Sequence, residues 1–196
     1  MKYNIYDTQA LVLKNFTHRE DSCSVLLFTR EFGCLYARAQ GARKTSSRLR
    51  SGLTESSYVT VGLLSGKGGW RVTYLLPHSN IFFSLGDRPE AKRVIAKIMS
   101  ICAHLLGEGV EDRRTFDLVI EGFMRISNSE DNDQSIRETE RVIMLNIMYL
   151  LGYIKHSSYA RFMQVDEKED EENFLNTAVS QREITNEINK ALNAAW

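Results

Sequence analysis

The sequence predicts an α+β protein with a small five-stranded β-barrel at its start and an α-helical bundle after it. Short apolar runs separated by turn residues fill residues 1–80, a pattern typical of β-strands. From about residue 87 the apolar residues recur every three or four positions, which is typical of amphipathic helices. Because the period changes without a long linker, we predict two domains, residues 1–80 and residues 81–196.

Five apolar runs predict the strands of a barrel of the OB type. The third run alternates apolar with larger or polar residues, as expected for a strand with one buried face. In the fifth run, Trp70, Val72, Tyr74 and Leu76 are expected to share one face. A glycine-rich hairpin joins the last two runs, and because a strand pattern follows it, a phosphate-binding loop is not expected there. The predicted strands are Ala10–Leu13, Cys23–Phe28, Leu35–Ala39, Tyr58–Leu64 and Trp70–Leu76.

Four helices are predicted after the barrel. Pro89 favours the start of the first helix, and Gly107 its end. Gly152 is placed to end the third helix. Ser180 begins the pattern of a capping box, which indicates a short last helix. The apolar positions of the four helices lie in 91–106, 116–123, 136–151 and 184–192.

Charge is distributed unevenly along the chain. Residues 1–80 contain 11 Lys and Arg against 5 Asp and Glu, whereas residues 81–196 contain 14 against 20. A basic first half suits a polyanionic partner, because cations that contact phosphates release condensed counterions. No run approaches the roughly 18 apolar residues of a membrane span, and no signal-peptide pattern opens the chain. We therefore expect a cytoplasmic protein without a membrane partner.

Catalytic and metal-binding patterns are lacking in the sequence. The cysteines and histidines are scattered, and no pair has the spacing of a structural zinc site. Three cysteines, an odd number, argue against a disulfide framework. No nucleophile and base can be paired from the sequence alone. We therefore expect a non-enzymatic protein with neither cofactor nor metal.

The basic segment 38–50 is the strongest indication of a ligand. It holds five Lys or Arg and no acidic residue, and its small and hydroxylated residues suit a loop that follows a phosphate backbone. A solvated basic loop without a ligand is the alternative. Arg19 and Lys67 lie in the two loops through which barrels of this type bind single strands.

Aromatic residues beside the cations provide surfaces on which bases could stack. Tyr36 is two residues from Arg38 on one strand face, and Trp70 and Arg71 flank the glycine hairpin. A core position for Trp70 is equally compatible with the sequence. The predicted DNA-binding residues are Tyr36, Arg38, Arg43, Lys44, Arg48, Arg50, Lys67, Trp70 and Arg71.

Several segments, in their order along the chain, resemble the RecO family of recombination mediator proteins. The resemblance spans most of the chain and is strongest in the first eighty residues. In the helical part it rests on Leu150–Ile154 and Ile188–Leu192. In the barrel it rests on Leu11–Leu13 with Glu20 and Asp21, Leu27–Gly33, Ala37–Lys44 with Ser47 and Arg48, and Gly66–Thr73.

The resemblance implies an OB-fold with a helical domain that binds single- and double-stranded DNA and anneals complementary strands. It also implies association with a RecR-like protein and the single-stranded-DNA-binding protein, indirect help to a RecA-type recombinase, and a place near the nucleoid. Many members carry a cysteine zinc module, but residues 155–172 contain no cysteine, so zinc is not expected. Lys92, Arg93 and Lys97 are candidate protein-contact residues, with a solvated helix face as the alternative.

The sequence thus predicts a DNA-binding recombination mediator that acts in DNA repair through phosphate contacts and base stacking. The alternative is an adaptor whose barrel mainly binds a protein partner. An adaptor would bind oligonucleotides weakly and with little dependence on salt, whereas a phosphate-binding protein would lose affinity steeply as salt increases.

Overall fold

Five strands and five helices make up the part of the chain that the computed structural model describes, residues 4–19, 22–42, 44, 47, 49–128, 132–154 and 178–195. They group into two compact units, Met1–Asn128 and Ser129–Trp196. The strands are β1 (Ile5–Arg19), β2 (Ser22–Thr29), β3 (Gly33–Ala39), β4 (Ser57–Gly66) and β5 (Gly69–Asn80). The helices are α1 (Ile81–Ser84), α2 (Pro89–Leu105), α3 (Arg113–Asn128), α4 (Asp133–Leu150) and α5 (Ala178–Ala195).

The five strands close into a barrel in the order β1-β2-β3-β5-β4. β1 pairs with both β2 and β4, and the barrel closes through a short parallel contact between β3 and β5. Since neighbouring side chains on a strand point to opposite faces, alternate residues fill the interior. Ala10, Val12, Val25, Leu27, Leu35, Ala37, Val59, Val61, Leu63 and Val72 belong to this core. The structure confirms the predicted class, an α+β chain that begins with a five-stranded OB-type barrel.

One face assignment on β5 is wrong. The pairing of β4 with β5 shifts between Gly62 and Leu63, which places an extra residue in β5, as in a β-bulge. Val72 therefore points into the core, whereas Tyr74 and Leu76 are exposed and Leu75 takes the inward position. The four residues predicted to share one face are divided between the two faces of the strand.

The segment between β3 and β4 closes part of the barrel. Ala42 and Leu53 are members of the barrel core, and Leu49 packs against them. The backbone follows successive turns, in which Arg50 N–H donates to Ser47 O and Leu53 N–H to Leu49 O. The basic segment is therefore anchored by apolar side chains.

The helices of the first unit cover an outer face of the barrel. Leu11 and Phe28 are fully buried but do not belong to the barrel core, and α2 packs against β1 and β2. The ring of Phe28 meets that of Phe116 on α3 edge to face, with centroids 5.1 Å apart. Arg30 adds a bidentate ion pair with Asp117 of α3, at 2.7 and 2.8 Å. These contacts explain why the first compact unit extends to the end of α3.

The predicted boundary at residues 80 and 81 marks the change from strands to helices, whereas the compact unit ends at Asn128. That residues 1–80 and 81–196 are separate domains stays a prediction. α1 was not predicted, since it has only four residues.

In the second unit, α4 packs against α5. Asn132 caps α4 by accepting from Ser135 N–H, and Gly152 follows its end as predicted. α5 begins at Ala178, so Ser180 lies inside the helix rather than at its N-cap; alanine favours this earlier start. Among the described helices, none is long and apolar enough to cross a membrane.

Candidate nucleic-acid interface

The outer face of β3 carries two of the predicted binding residues. Tyr36 and Arg38 are exposed, whereas their neighbours Leu35 and Ala37 are buried, as the alternation of the strand requires. Arg38 lies in register with Arg71 of β5, in a parallel contact that comprises only one other residue pair. The structure therefore places Arg38 and Arg71 side by side, although they are far apart in the sequence.

Arg38 and Arg71 lack a compensating acidic residue within the described part of the chain. Both side chains are exposed, and neither forms an ion pair or side-chain hydrogen bond with a described residue. Like charges at neighbouring positions of adjacent strands are unfavourable. A phosphate between them would remove this repulsion and accept hydrogen bonds from both guanidinium groups.

A cleft of about 930 Å³ lies beside the two arginines. The hairpin tip with Lys67 lines it, and Ser22, Ser24 and Gln40 add groups that donate hydrogen bonds. Phosphates are commonly bound by such a mixture of cations, hydroxyls and backbone amides. The cleft therefore combines four of the predicted residues, Arg38, Lys67, Trp70 and Arg71, in one place.

An aromatic pair next to the cleft contains a residue that sequence reasoning missed. Phe16 on β1 and Tyr36 on β3 have ring centroids 6.1 Å apart and are 38% and 51% exposed. Phe16 and Arg38 both lie opposite Ser24, and Lys14 and Tyr36 both lie opposite Leu26. Lys14 and Phe16 could have been found from their alternate spacing after the first apolar run. We call Lys14, Phe16, Tyr36, Arg38 and Arg71 the basic face.

Besides Arg38, the basic segment contributes two described cations, Lys44 and Arg50, both exposed. Arg50 lines a small cavity of about 210 Å³ together with Asn15 and Thr17 of β1. Asn15 fixes this region by donating to Leu53 O at 2.6 Å. Arg43 and Arg48 lie outside the described residues, so their positions stay predictions.

Trp70 lines the cleft but packs among other rings. Its centroid is 5.2 Å from that of Phe32 and 6.0 Å from that of Tyr6, and it packs against the barrel core. This position favours the core alternative left open by the sequence. A stacking role for Trp70 stays a prediction, whereas Phe16 and Tyr36 offer more exposed rings.

The candidate protein-contact residues on α2 lie outside the cleft lining. Arg93 pairs in a bidentate manner with Glu90 of the same helix, at 2.7 and 2.8 Å. Lys92 is half-buried and Lys97 is exposed. A partner contact at these residues stays a prediction.

Two of the described cysteines, Cys34 and Cys102, are not poised for reaction. Burial raises the pKa of the Cys34 thiol to about 12 and also raises that of Cys102, so neither is a thiolate at neutral pH. Within the described ranges, no three His, Cys, Asp or Glu side chains come close enough together to hold a metal ion. Residues 155–172, where the sequence predicts no zinc module, lie outside those ranges.

Comparison with known proteins connects this barrel to one family. Residues 1–69 match the family model described as Recombination protein O N terminal. The DNA repair protein RecO of Alkaliphilus metalliredigens is 29% identical over 112 residues, which cover 57% of this chain and 45% of that protein. The protein of the same name from Chlorobium limicola is 30% identical over 152 residues, 76% of this chain and 54% of the relative.

A third DNA repair protein RecO, from Heliobacterium modesticaldum, is 37% identical over 83 residues, 42% of this chain and 30% of the relative. The matched region spans about half the length of the first two relatives and less of the third. The family model and the three relatives carry the same family name. The chain belongs to the RecO family.

Proposed function

We propose that this chain is a DNA-binding recombination mediator in DNA repair, and that it holds nucleic acid on the basic face of the barrel. The observation that carries the proposal is the pairing of Arg38 with Arg71 beside the cleft. Two adjacent guanidinium groups without a described acidic partner form a site for a phosphate. The names of the relatives support a role in DNA repair.

The arrangement supports two kinds of contact. Arg38, Arg71 and Lys67 bind phosphates, and Lys44 and Arg50 extend the cationic surface along the loop. Phe16 and Tyr36 stack bases, a contact that contributes about 1–3 kcal/mol per base and requires unpaired bases. Single strands thus use both kinds of contact, whereas duplex DNA uses mainly the phosphate contacts.

Strand annealing follows from the same surface. Cations lower the repulsion between two phosphate backbones, so complementary strands held there pair more readily without any catalytic residue. Contacts with a RecR-like protein, the single-stranded-DNA-binding protein and a RecA-type recombinase belong to the same proposal. They rest on the family resemblance, as does a location near the nucleoid.

The first test is fluorescence anisotropy of a labelled single-stranded oligonucleotide over a series of salt concentrations. Because each phosphate neutralised on a single strand contributes a log–log slope of about −0.7, and Arg38 and Arg71 share one phosphate, Arg38→Ala/Arg71→Ala should reduce the steepness by about 0.7. The matched control is Arg93→Ala/Arg125→Ala, which removes two cations from helices. An equal effect of both double variants would mean that only net charge matters and would contradict the proposed site.

A second measurement separates stacking from phosphate binding. Tyr36→Ala and Phe16→Ala should each weaken single-strand binding about tenfold or more and change the salt slope little. Duplex binding should change much less. Weak binding of the parent with a flat salt dependence would instead favour the adaptor alternative.

A further inference from the structure

The cleft beside Arg38 and Arg71 carries more positive charge than one phosphodiester compensates. Its charged lining residues are Arg38, Lys67 and Arg71, and no Asp or Glu is among the described residues that line it. None of these three cations forms an ion pair with a described residue. A phosphate within a DNA strand carries a single negative charge, so it would leave two of the three positive charges unmatched.

The three cations can act on one phosphate. Arg38 and Arg71 are in register on neighbouring strands, and neighbouring strands lie about 4.8 Å apart. Both guanidinium groups can therefore donate to the same phosphate. Lys67 belongs to the tip of the β4–β5 hairpin, where Gly66 pairs with Gly69. Because this tip lines the same cleft, the ammonium group of Lys67 supplies the third charge.

The backbone of the hairpin tip is open to a ligand. Nothing lies within 4 Å of a Cβ placed on Gly66, Gly68 or Gly69, so an oxygen atom can approach these peptide groups closely. The N–H groups of Lys67 and Gly68 donate no backbone hydrogen bond to a described residue. Together with the side-chain donors of the cleft, they exceed what the two unesterified oxygens of a phosphodiester can accept.

Trp70 separates the cleft from the barrel interior. It lines the cleft, and its ring packs against the barrel core and against the rings of Phe32 and Tyr6. A strand that enters the cleft toward Trp70 therefore cannot continue into the barrel. This side of the cleft suits the end of a strand better than its middle.

We propose that the cleft binds the terminal phosphate of a DNA strand, an inference that rests on the proposed function. A phosphate monoester has three unesterified oxygens and carries a charge of about −1.5 to −2 at pH 7. It therefore uses the third cation and the additional donors that a phosphodiester leaves unused. Hydrolysis of a phosphodiester bond produces such an end, so reactions that cut DNA supply this ligand.

The neighbouring nucleotides fit the rest of the site. The cleft volume of about 930 Å³ is within the range of pockets that enclose small molecules, so it also admits the terminal sugar. Phe16 and Arg38 both lie opposite Ser24. A base close to the strand end therefore reaches the aromatic pair of Phe16 and Tyr36, while the phosphate stays with the arginines.

Competition measured by fluorescence anisotropy on the whole chain tests this inference. Short unlabelled oligonucleotides of one sequence, with a 5′-phosphate, a 3′-phosphate or hydroxyl ends, displace a longer labelled strand that has hydroxyl ends. The charge control is a hydroxyl-ended oligonucleotide one nucleotide longer, which has as many phosphates as the phosphorylated competitors. At least one phosphorylated competitor should bind about tenfold or more tightly than this control, and the result identifies the preferred end.

Two variants connect the preference to the cleft. Lys67→Ala should reduce the tenfold preference to about threefold or less. Arg50→Ala is the matched control, because Arg50 is an exposed cation of the basic segment that lines a different cavity. It should weaken all competitors by a similar factor and preserve the preference. Circular dichroism should show that both variants are folded.

Equal binding of the phosphorylated competitors and the charge control would overturn the inference. An equal loss of preference in Lys67→Ala and Arg50→Ala would also overturn it. A free deoxynucleoside monophosphate should compete far more weakly, because it lacks the stacked bases of a strand. If it competed as well as the phosphorylated oligonucleotide, the ligand would be a nucleotide and not a strand end.

Failure of the proposed function has a different signature. Weak binding of the labelled strand with a flat salt dependence would contradict DNA binding on the basic face, and the inference would fail with it. Tight binding of the labelled strand, together with indifference to the terminal phosphate, would overturn the inference alone.

Discussion

Substitution of Gly33 by alanine tests how the loop before α3 is attached to the barrel. Gly33 has φ +62°, and an added Cβ would lie 1.9 Å from the carbonyl oxygen of Val110. Restoring an ordinary contact near 3.4 Å requires a backbone shift of about 1.5 Å. That shift would break the 2.9 Å hydrogen bond from Gly109 N–H to Cys34 O.

Gly41 provides the control, because it has nearly the same φ, +67°, and its nearest neighbour is the end of the Lys44 side chain at 3.9 Å. Left-handed backbone costs about 1–2 kcal/mol for alanine at either site. At Gly33 the clash adds about 1–3 kcal/mol, and the lost hydrogen bond about 1 kcal/mol. We therefore expect Gly33→Ala to lower the free energy of unfolding by about 3–6 kcal/mol and Gly41→Ala by about 1–2 kcal/mol.

The assay is urea unfolding followed by the fluorescence of Trp70, in a Trp196→Phe background that leaves one tryptophan. Alanine also restricts the unfolded chain, but this effect is common to both variants and disappears from their difference. A difference below about 1 kcal/mol would mean that the Val110 loop yields freely. The loop would then not be held rigidly against β3.

Two further changes test the connections between the barrel and its helices. Asn80→Ala removes the N-cap of α1 and donors to Thr54, Glu55 and Ser57, and should lower the free energy of unfolding by about 2–4 kcal/mol in the same assay. Asn80→Asp, which loses the donors but keeps the cap acceptor, should cost less, and equal costs would contradict a role for the cap acceptor. The hydrogen bond from Arg30 lowers the pKa of Asp117, so the parent should be more stable than Asp117→Asn. This difference in the free energy of unfolding should be complete above the ordinary carboxyl pKa of 3.8. It should disappear as the pH falls through the lower pKa that Asp117 has in the folded state. An advantage unchanged in acid would show that the charge of Asp117 does not matter.

The barrel was predictable from the sequence because its signals are local. Alternation around Ala37, the glycine hairpin and the apolar runs each depend on a few neighbouring residues. Helix α1 was not predictable in this way, since it is defined by the hydrogen bonds that Asn80 makes with the start of β4. The extent of the first unit was not predictable either. Leu11 and Phe28 have the pattern of strand residues, and this pattern does not indicate which element covers them.

The candidate site was only partly predictable, because the two arginines at its centre meet through pairing across the barrel. Tyr36 and Arg38 could be assigned to one face from their spacing. Their position beside Phe16 and Arg71 depends on strand order and register, which a single sequence does not specify. Lys14 and Phe16 were missed for this reason.

The register shift between Gly62 and Leu63 determines which residues of β5 face outward. If Thr73 were paired regularly, without the bulge, Tyr74 and Leu76 would lie on the same face as Val72, as the sequence alone predicted. The shift instead turns Leu75 inward and exposes Tyr74 and Leu76 beyond the last arginine of the strand. Arg71 therefore lines the cleft, while the next outward residues of the same strand, Tyr74 and Leu76, are exposed. A one-residue irregularity thus lets β5 contribute to two surfaces of opposite chemistry. Deletion of Thr73 should restore regular pairing between β4 and β5 while Tyr74 and Leu76 stay outward and Arg38 stays paired with Arg71.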